Sequence, residues 1–207
     1  MKGLIIKDLL TLKKSGKMII ALVVFYLIIS FISKDASILA GMISILFAMF
    51  PITALAYDER AKWDKYALAM PVSRDDMVIS KYILGLMLCF AGFLLNLLFQ
   101  LVSGNWNIEN LLASVVIFGV GIVFFSVIMP IMYRFGVEKG RIVMIVFVSI
   151  PFIIGIIINQ FGDMSTRLEQ AAARWEDRLP IILPLIVLAI FIGSLLTSMH
   201  IYNKKEW

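Results

Sequence analysis

Side chains that could support acid–base, nucleophilic or metal chemistry are nearly absent from the apolar parts of this sequence. The single histidine, His200, excludes a His-Glu-x-x-His zinc site, and the single cysteine, Cys89, excludes a disulfide or a cysteine-based metal site within one chain. No Asp, Glu, Lys or Arg lies inside an apolar run away from its ends, so general acid–base catalysis and intramembrane proton relays lack their usual groups. We predict that the chain is not an enzyme and is not driven by protons or sodium ions.

Nucleotide binding by the chain itself is also excluded by spacing. The glycine and lysine cluster from Gly136 to Gly140, with Lys139, lacks the Gly-x-x-x-x-Gly-Lys-Ser/Thr pattern of a P-loop. The interior polar residues that remain are amides and hydroxyls, of which Asn96 and Gln100 share one helix face because they are four positions apart. These two could line a wet pathway, or they could join neighbouring helices by hydrogen bonds.

The elements that must position these residues are long apolar runs. The sequence is 61% hydrophobic and only 16% charged, whereas a soluble domain is about a quarter charged. A helix of about 20 apolar residues crosses a bilayer core of about 30 Å, and alternating barrel-strand patterning is absent. We predict an all-α membrane protein, a single domain over 1–207, with spans at about 18–33, 36–56, 82–103, 111–133, 142–160 and 180–202.

Positive charge is sorted to one side of these spans. With a cytoplasmic N-terminus, fifteen of the 19 Lys and Arg residues lie on the cytoplasmic side, and only Lys34, Arg167, Arg174 and Arg178 lie outside. By the positive-inside rule this predicts cytoplasmic N- and C-termini. The net charge of +5 therefore indicates orientation and contact with anionic lipid rather than nucleic acid.

Three segments outside the spans have helical patterns. Segment 1–17 places Leu and Ile on one arc and Lys7, Asp8 and Thr11 on the opposite arc. This pattern predicts a short amphipathic helix that lies in the inner membrane interface. Segment 161–179 predicts an extracellular amphipathic helix. In the polar region 57–81, we expect a short surface helix over residues 59–70 and a second helix that starts near Arg74, capped by Ser73 and Asp76.

Small residues recur at every fourth position in the second and last predicted spans. Such stripes let helices approach closely, either within one subunit or across a dimer seam, and the sequence leaves both open. The residues are Ala36, Ala40, Ser44 and Ala48, and then Ala189, Gly193 and Thr197.

The polar region carries a recognisable motif. Its Tyr-Asp-Glu at 57–59, Trp63-Asp64, Pro-Val-Ser-Arg at 71–74 and Ser-Lys-Tyr at 80–82 resemble a signature of ABC-2 type permeases, specifically the small six-span bacterial class without an attached ATPase. Methionine stands at Met70 where that class usually has leucine. The six-span layout is most similar to that of the permeases that export phenol-soluble modulins, which are amphipathic peptides.

This resemblance implies partners and site residues. Two permease chains, most simply a homodimer, would pair with two ABC ATPase subunits; those subunits would bind ATP and Mg, and this chain would bind no cofactor and no metal. Segment 1–17 would be the interfacial elbow helix, and region 57–81 would rest on the ATPase. The coupling residues would be Trp63, Tyr66, Pro71, Ser73, Arg74 and Asp75.

Asp58, Glu59 and Arg60 lie at the cytoplasmic mouth of the second span. The resemblance makes them candidates for a cytoplasmic gate or for attracting cationic cargo. The alternative is that the acids form salt bridges with Arg60, Lys62 or the lysines of segment 1–17.

We therefore predict the permease of an exporter of amphipathic or hydrophobic peptides, working by alternating access in the bacterial cytoplasmic membrane. Export of an antibiotic, bacteriocin or lipid for self-protection is an alternative, as is a peptide sensor that signals through its ATPase without net transport. If region 57–81 docks an ATPase, exchanging charges by Arg74→Glu with Asp75→Lys should disrupt docking and leave the chain folded.

Overall fold

The computed structural model describes residues 2–13, 16–33, 36–67, 69, 71–104, 106–160 and 179–205. This part of the chain is built of α-helices without β-strands, as predicted. The helices are α1 Lys2–Lys13, α2 Gly16–Ser33, α3 Ala36–Ala48, α4 Phe50–Arg60, α5 Trp63–Ala67, α6 Arg74–Ser103, α7 Ile108–Phe135, α8 Val137–Gln160 and α9 Leu179–Asn203. The predicted extracellular helix, 161–179, lies outside the described residues apart from its last position.

Five helical stretches in the described part are long and apolar enough to cross a membrane. They are Gly16–Ser33, Leu39–Arg60, Arg74–Ser103, Ile108–Phe135 and Ile182–Asn203. They correspond to the first four predicted spans and the last one. The remaining predicted span, 142–160, falls within α8, and most side chains of positions 142–160 lie outside the described part, so the sixth span stays a prediction.

The second span consists of two helices, α3 and α4, which meet at Met49. Pro51 has no N–H to donate to the preceding turn, which interrupts the helical bonding, while Met49 N still donates to Ile45 O at 3.1 Å. The helix then runs on to Arg60, beyond the predicted end at position 56. Asp58 and Glu59 are therefore side chains of the span's last helical turn and not of a loop.

The helix predicted over residues 59–70 is wrong in its bounds. Lys62 has a φ of 50°, in the left-handed region, so the helix is interrupted between Arg60 and Trp63. The next helix, α5, spans only five residues. The predicted start of α6 is confirmed. Asp76 N donates to Ser73 Oγ at 3.0 Å and Ser73 N donates to the Asp76 carboxylate at 3.4 Å, which completes a capping box before Arg74.

The N-terminal helix α1 turns part of its polar arc toward the bundle. Asp8 is 1% exposed, whereas Ile6 and Leu10 are more than half exposed. The bundle thus covers Asp8 together with one edge of the apolar arc, where Leu12 is buried, and the rest of that arc stays exposed. Amphipathic periodicity separates two faces, but it does not reveal which of them meets protein.

The core lies where α6, α7 and α9 meet. The ring of Tyr82 packs edge-on against Phe125 and Phe191 at centroid distances of 5.2 and 5.4 Å. Its hydroxyl is hydrogen-bonded to Ser194 Oγ at 2.6 Å and to Ser198 Oγ at 2.8 Å, so the buried polar tip is satisfied by α9. This contact joins three of the long helices.

Gly85, one turn beyond Tyr82, permits that approach. A Cβ added at Gly85 would lie 2.6 Å from Phe125 Cζ, at the buried crossing of α6 and α7. We predict that Gly85→Ala destabilises the chain by about 1–3 kcal/mol, since overpacking forces the ring off its rotamer. Thermal unfolding of detergent-purified protein should show the loss, and Gly41→Ala, where a Cβ meets nothing within 4 Å, should leave the transition in place.

The two small-residue stripes have different surroundings. Ala40, Ser44 and Ala48 are buried, and α3 packs closely on α7, where a Cβ at Gly121 would lie 3.3 Å from Ser44 Oγ. The side chain of Ala36 lies outside the described part.

The stripe of α9 faces away from the rest of the described chain. Ala189 and Thr197 are exposed, and a Cβ at Gly193 would meet nothing within 4 Å. The first stripe therefore serves packing inside the subunit, and the second remains a predicted dimer seam.

Candidate functional site

Four charged side chains form a buried cluster at the end of the bundle that carries α5. Lys81 Nζ lies 2.7 Å from Asp8 Oδ2 and 2.5 Å from Asp58 Oδ2, while Lys7 Nζ lies 2.5 Å from Asp58 Oδ1 and 3.0 Å from Asp8 Oδ1. Each ammonium thus faces two carboxylates and each carboxylate faces two ammonium groups. The cluster joins α1, α4 and α6 and has no net charge.

Burial makes this balance consequential. The side chains of Asp8 and Lys81 are 1% and 6% exposed, and that of Asp58 is 11% exposed. Removing such charges from water costs several kcal/mol per ion, so an intact buried pair adds little to the free energy of unfolding. Removing one partner is strongly destabilising, because the other charge stays buried without a counter-charge. The cluster therefore fixes the arrangement of three helices more than it adds free energy.

Lys7 also contacts the start of α5. Its Nζ lies 4.5 Å from the centroid of the Trp63 ring, within the range of a cation–π interaction. Lys7 is the most exposed member of the cluster, with a quarter of its side chain accessible. It sits between the buried carboxylates and the segment that follows the second span.

Glu59 holds a different contact from its neighbour Asp58. Its Oε2 accepts a hydrogen bond of 2.8 Å from Val137 N, the first residue of α8. A carboxylate at a helix N-terminus satisfies an otherwise unpaired N–H and favours the helix dipole. Gly136, with a φ of 81°, ends α7 directly before α8 begins, and Glu59 connects this junction to the end of α4.

The end of α9 is fastened to the same region. An Arg74 guanidinium nitrogen donates to Asn203 O at 2.8 Å and, at 3.4 Å, to Lys205 O, while Asn203 Nδ2 donates to Asp75 Oδ1 at 2.8 Å. A cation at a helix C-terminus binds carbonyls that have no partner within the helix. Arg74 and Asp75 thus clamp the last span to the start of α6.

Asp64 in α5 adds a third contact to this clamp. Its Oδ1 accepts a hydrogen bond of 2.8 Å from the Tyr202 hydroxyl. Burial raises the pKa of the Asp64 carboxyl above its ordinary value, and the hydrogen bond from Tyr202 partly opposes that shift. The short helix α5 therefore contacts α9 through Asp64 and α1 through Trp63.

The predicted pathway amides, both far along α6, meet at one hydroxyl of α7. Asn96 Nδ2 and Gln100 Nε2 donate to Ser114 Oγ at 2.8 and 2.6 Å, and that hydroxyl donates to Asn110 O at 2.7 Å. Asn96 and Gln100 are 2% and 1% exposed. The structure therefore places them in a polar contact between α6 and α7, and they line no open channel within the described subunit.

The comparison with known families gives a match over nearly the whole chain: residues 3–203 fit the model of the ABC-2 family transporter proteins. The chain belongs to this ABC-2 family. No curated protein and no solved structure matches it. The match is to the family as a whole and does not single out the exporters of phenol-soluble modulins.

Family membership gives the buried cluster its context. ABC-2 permeases are membrane-spanning transport components, in general without catalysis of their own, that work with an ABC ATPase. With five candidate spans in the described part, this chain is a multi-pass membrane protein of that kind. Its charged clusters are thus contacts within a transport subunit.

The residues that the ABC-2 resemblance marks for coupling fall into two groups in the structure. Tyr66 is 64% exposed and Pro71 is also exposed, so both are free to meet a partner. Trp63, Arg74 and Asp75 have contacts with α1 or α9 that account for their positions. The charge exchange at Arg74 and Asp75 would consequently break the α9 clamp, so it cannot isolate docking from folding.

Of the predicted gate residues, Asp58 joins the cluster, Glu59 binds α8, and Arg60 is exposed. The alternative interpretation, a salt bridge to a lysine of segment 1–17, describes Asp58, with Lys7 as that lysine. Sequence reasoning missed the role of Asp8 and Lys81. The available signal was an aspartate inside the apolar N-terminal segment, whose charge needs a partner if the segment packs on protein.

Proposed function

We propose that this ABC-2 permease is the transmembrane subunit of an ATP-driven exporter. A separate ABC ATPase would bind ATP and Mg, and its closure would move the spans between inward- and outward-facing states. The observation that carries the proposal is segment 61–73. It is short, displays exposed Tyr66 and Pro71, and is connected by side chains to both α1 and α9. A partner that binds this segment would be connected, through Trp63 and Asp64, to α1 near the N-terminus and to α9 near the C-terminus.

We further propose amphipathic or hydrophobic peptides as cargo. An apolar groove of about 320 Å³ lies between α6, α7 and α9 and has almost no polar lining. Phe118, Ile122, Val187 and Phe191 are among its lining residues. Apolar grooves favour ligands that lose water on binding. The same groove favours a lipid exporter as the second candidate, because an acyl chain has the same chemistry.

The proposed assembly has six spans, both termini in the cytoplasm, and two permease chains. The fifteen-to-four sorting of Lys and Arg supports this orientation. The outward-facing residues Ala189 and Gly193 support a dimer seam along α9, since small side chains let two helices approach closely. The location that fits these features is a bacterial cytoplasmic membrane.

The test is reconstitution of the permease together with an ABC ATPase, for which the neighbouring open reading frames are the first place to search. Inside-out liposomes should accumulate a fluorescent amphipathic peptide only when both proteins and ATP are present. Peptide-stimulated ATP hydrolysis without accumulation would instead support a sensor, and movement of a labelled lipid without peptide would support the lipid exporter. Uphill transport by the permease alone would overturn the proposal.

A further inference from the structure

Lys7 is shared between the buried charge cluster and α5. Its ammonium forms ion pairs with Asp58 at 2.5 Å and Asp8 at 3.0 Å, and it lies 4.5 Å from the Trp63 ring centroid. The ion pairs reach α4 and a neighbour on α1 itself, while the ring belongs to α5. One side chain of α1 thus contacts two elements that are far from it along the chain.

No continuous helix fixes α5 to its neighbours in sequence. Lys62, with φ 50°, separates α5 from α4, and α6 begins as a separate helix at Arg74. A five-residue helix has too few internal hydrogen bonds to be stable by itself, so tertiary contacts decide where it sits. The Trp63–Lys7 contact is one of those contacts.

The opposite end of the connection is firmly held. Asp8 lies one position after Lys7 and is paired with the buried ammonium of Lys81 at 2.7 Å. A displacement of Lys7 would therefore disturb two carboxylates that both also contact Lys81. Since an uncompensated buried charge is costly, α1 must follow Lys7 or the cluster must open.

We propose that Lys7 joins α1 and α5 into one mechanical unit, so that a displacement of α5 reaches α1 through the Trp63 ring. The proposal rests on the proposed function in one respect, because there the ATPase supplies the displacement. The connection itself is a property of the permease alone. Coupling between two elements is reciprocal in free energy, so loosening either element must loosen the other by a similar factor.

Hydrogen–deuterium exchange of the full chain in lipid nanodiscs tests this reciprocity. Trp63→Leu removes the aromatic face but leaves all four charges, and we expect roughly two- to fivefold faster amide exchange in α1, the factor that corresponds to one partly exposed cation–π contact. Trp63→Phe keeps a ring and should retain slow exchange. The matched control is Tyr66→Leu, which removes an exposed aromatic from the same helix and should leave α1 unchanged.

The reciprocal variant is Lys7→Met, which keeps the apolar stem and removes the ammonium. It should accelerate exchange in α5, whereas Lys7→Arg, which keeps the charge and stacks on aromatic faces, should restore it. If Lys7→Met does not fold, Trp63→Leu decides alone. Unchanged exchange in α1 of a folded Trp63→Leu chain would overturn the inference.

Adding the ATPase separates this inference from the proposed function. If both hold, ATPase binding slows exchange in α5 and in α1, and Trp63→Leu abolishes the effect on α1 only. Slower exchange in α5 with no change in α1 of the unsubstituted chain would overturn the mechanical connection. An ATPase that does not bind would count against the proposed function, while the reciprocity between Trp63 and Lys7 would still be measured.

Discussion

Lys81→Met is expected to destabilise the chain by about 3–5 kcal/mol, the usual cost of breaking a buried ion pair by removing one partner. The substitution leaves Lys7 alone to face the carboxylates of Asp8 and Asp58. One negative charge then lies buried without a counter-charge, and the Asp8 side chain is only 1% exposed. Thermal unfolding in detergent, followed by loss of the monodisperse peak in size-exclusion chromatography, measures the effect.

Two further variants separate charge balance from the loss of a long side chain. Asp8→Asn combined with Lys81→Met restores neutrality and should recover much of the stability, since replacing both partners of a buried pair is far less costly than removing one. Lys204→Met, at an exposed lysine near the other end of the chain, should be close to neutral. A Lys81→Met chain as stable as the unsubstituted one would show that the cluster is not buried as described.

The sequence was most informative where the physics is local. The capping box at Ser73 and Asp76 predicted the start of α6 because its hydrogen bonds span three residues. In the part of the chain that the structure describes, five of the six predicted spans correspond to candidate membrane-spanning helices, because helix length and hydropathy are read from one continuous segment. The bounds failed at Lys62, where a left-handed residue has no composition signal of the kind that glycine gives.

The cluster could not be predicted because hydropathy does not determine how a helix is rotated about its axis. Asp8 and Lys81 are 73 positions apart, and their contact depends on the packing of α1 against α6. In the sequence Lys81 looks like an ordinary basic flank of an apolar run, and Asp8 looks like part of a solvated polar arc. Only the tertiary arrangement shows that both point inward and compensate each other.

The predicted coupling residues lie close together in the sequence but have different contacts in the structure. Trp63, Arg74 and Tyr66 share one motif, yet Trp63 contacts Lys7, Arg74 contacts the end of α9, and Tyr66 projects outward. A sequence motif does not show which of its residues contacts another protein and which contacts its own chain. Exposure makes that distinction, and it directs the docking test to Tyr66.

Tyr66→Asp is expected to weaken ATPase binding about 30-fold or more, the effect of removing an aromatic hot spot worth about 2 kcal/mol. Tyr66 is 64% exposed, and its side chain has no hydrogen bond or ring contact within the described part of the chain, so the substitution should not alter the fold. The dissociation constant is measured by titrating the purified ATPase over immobilised nanodiscs that contain the permease. Thermal unfolding of the same preparation checks that the permease is intact.

The matched control for this prediction is Trp106→Asp. Trp106 is 54% exposed, similar to Tyr66, but it lies between α6 and α7, beyond the end of α6 that is opposite to α5. An aspartate there adds the same charge and removes a similar exposed aromatic, so ATPase affinity should stay unchanged if docking is confined to the α5 end. Equal losses of affinity in the two variants would mean that Tyr66 acts through general destabilisation, and an unchanged affinity in Tyr66→Asp would remove α5 as the docking element.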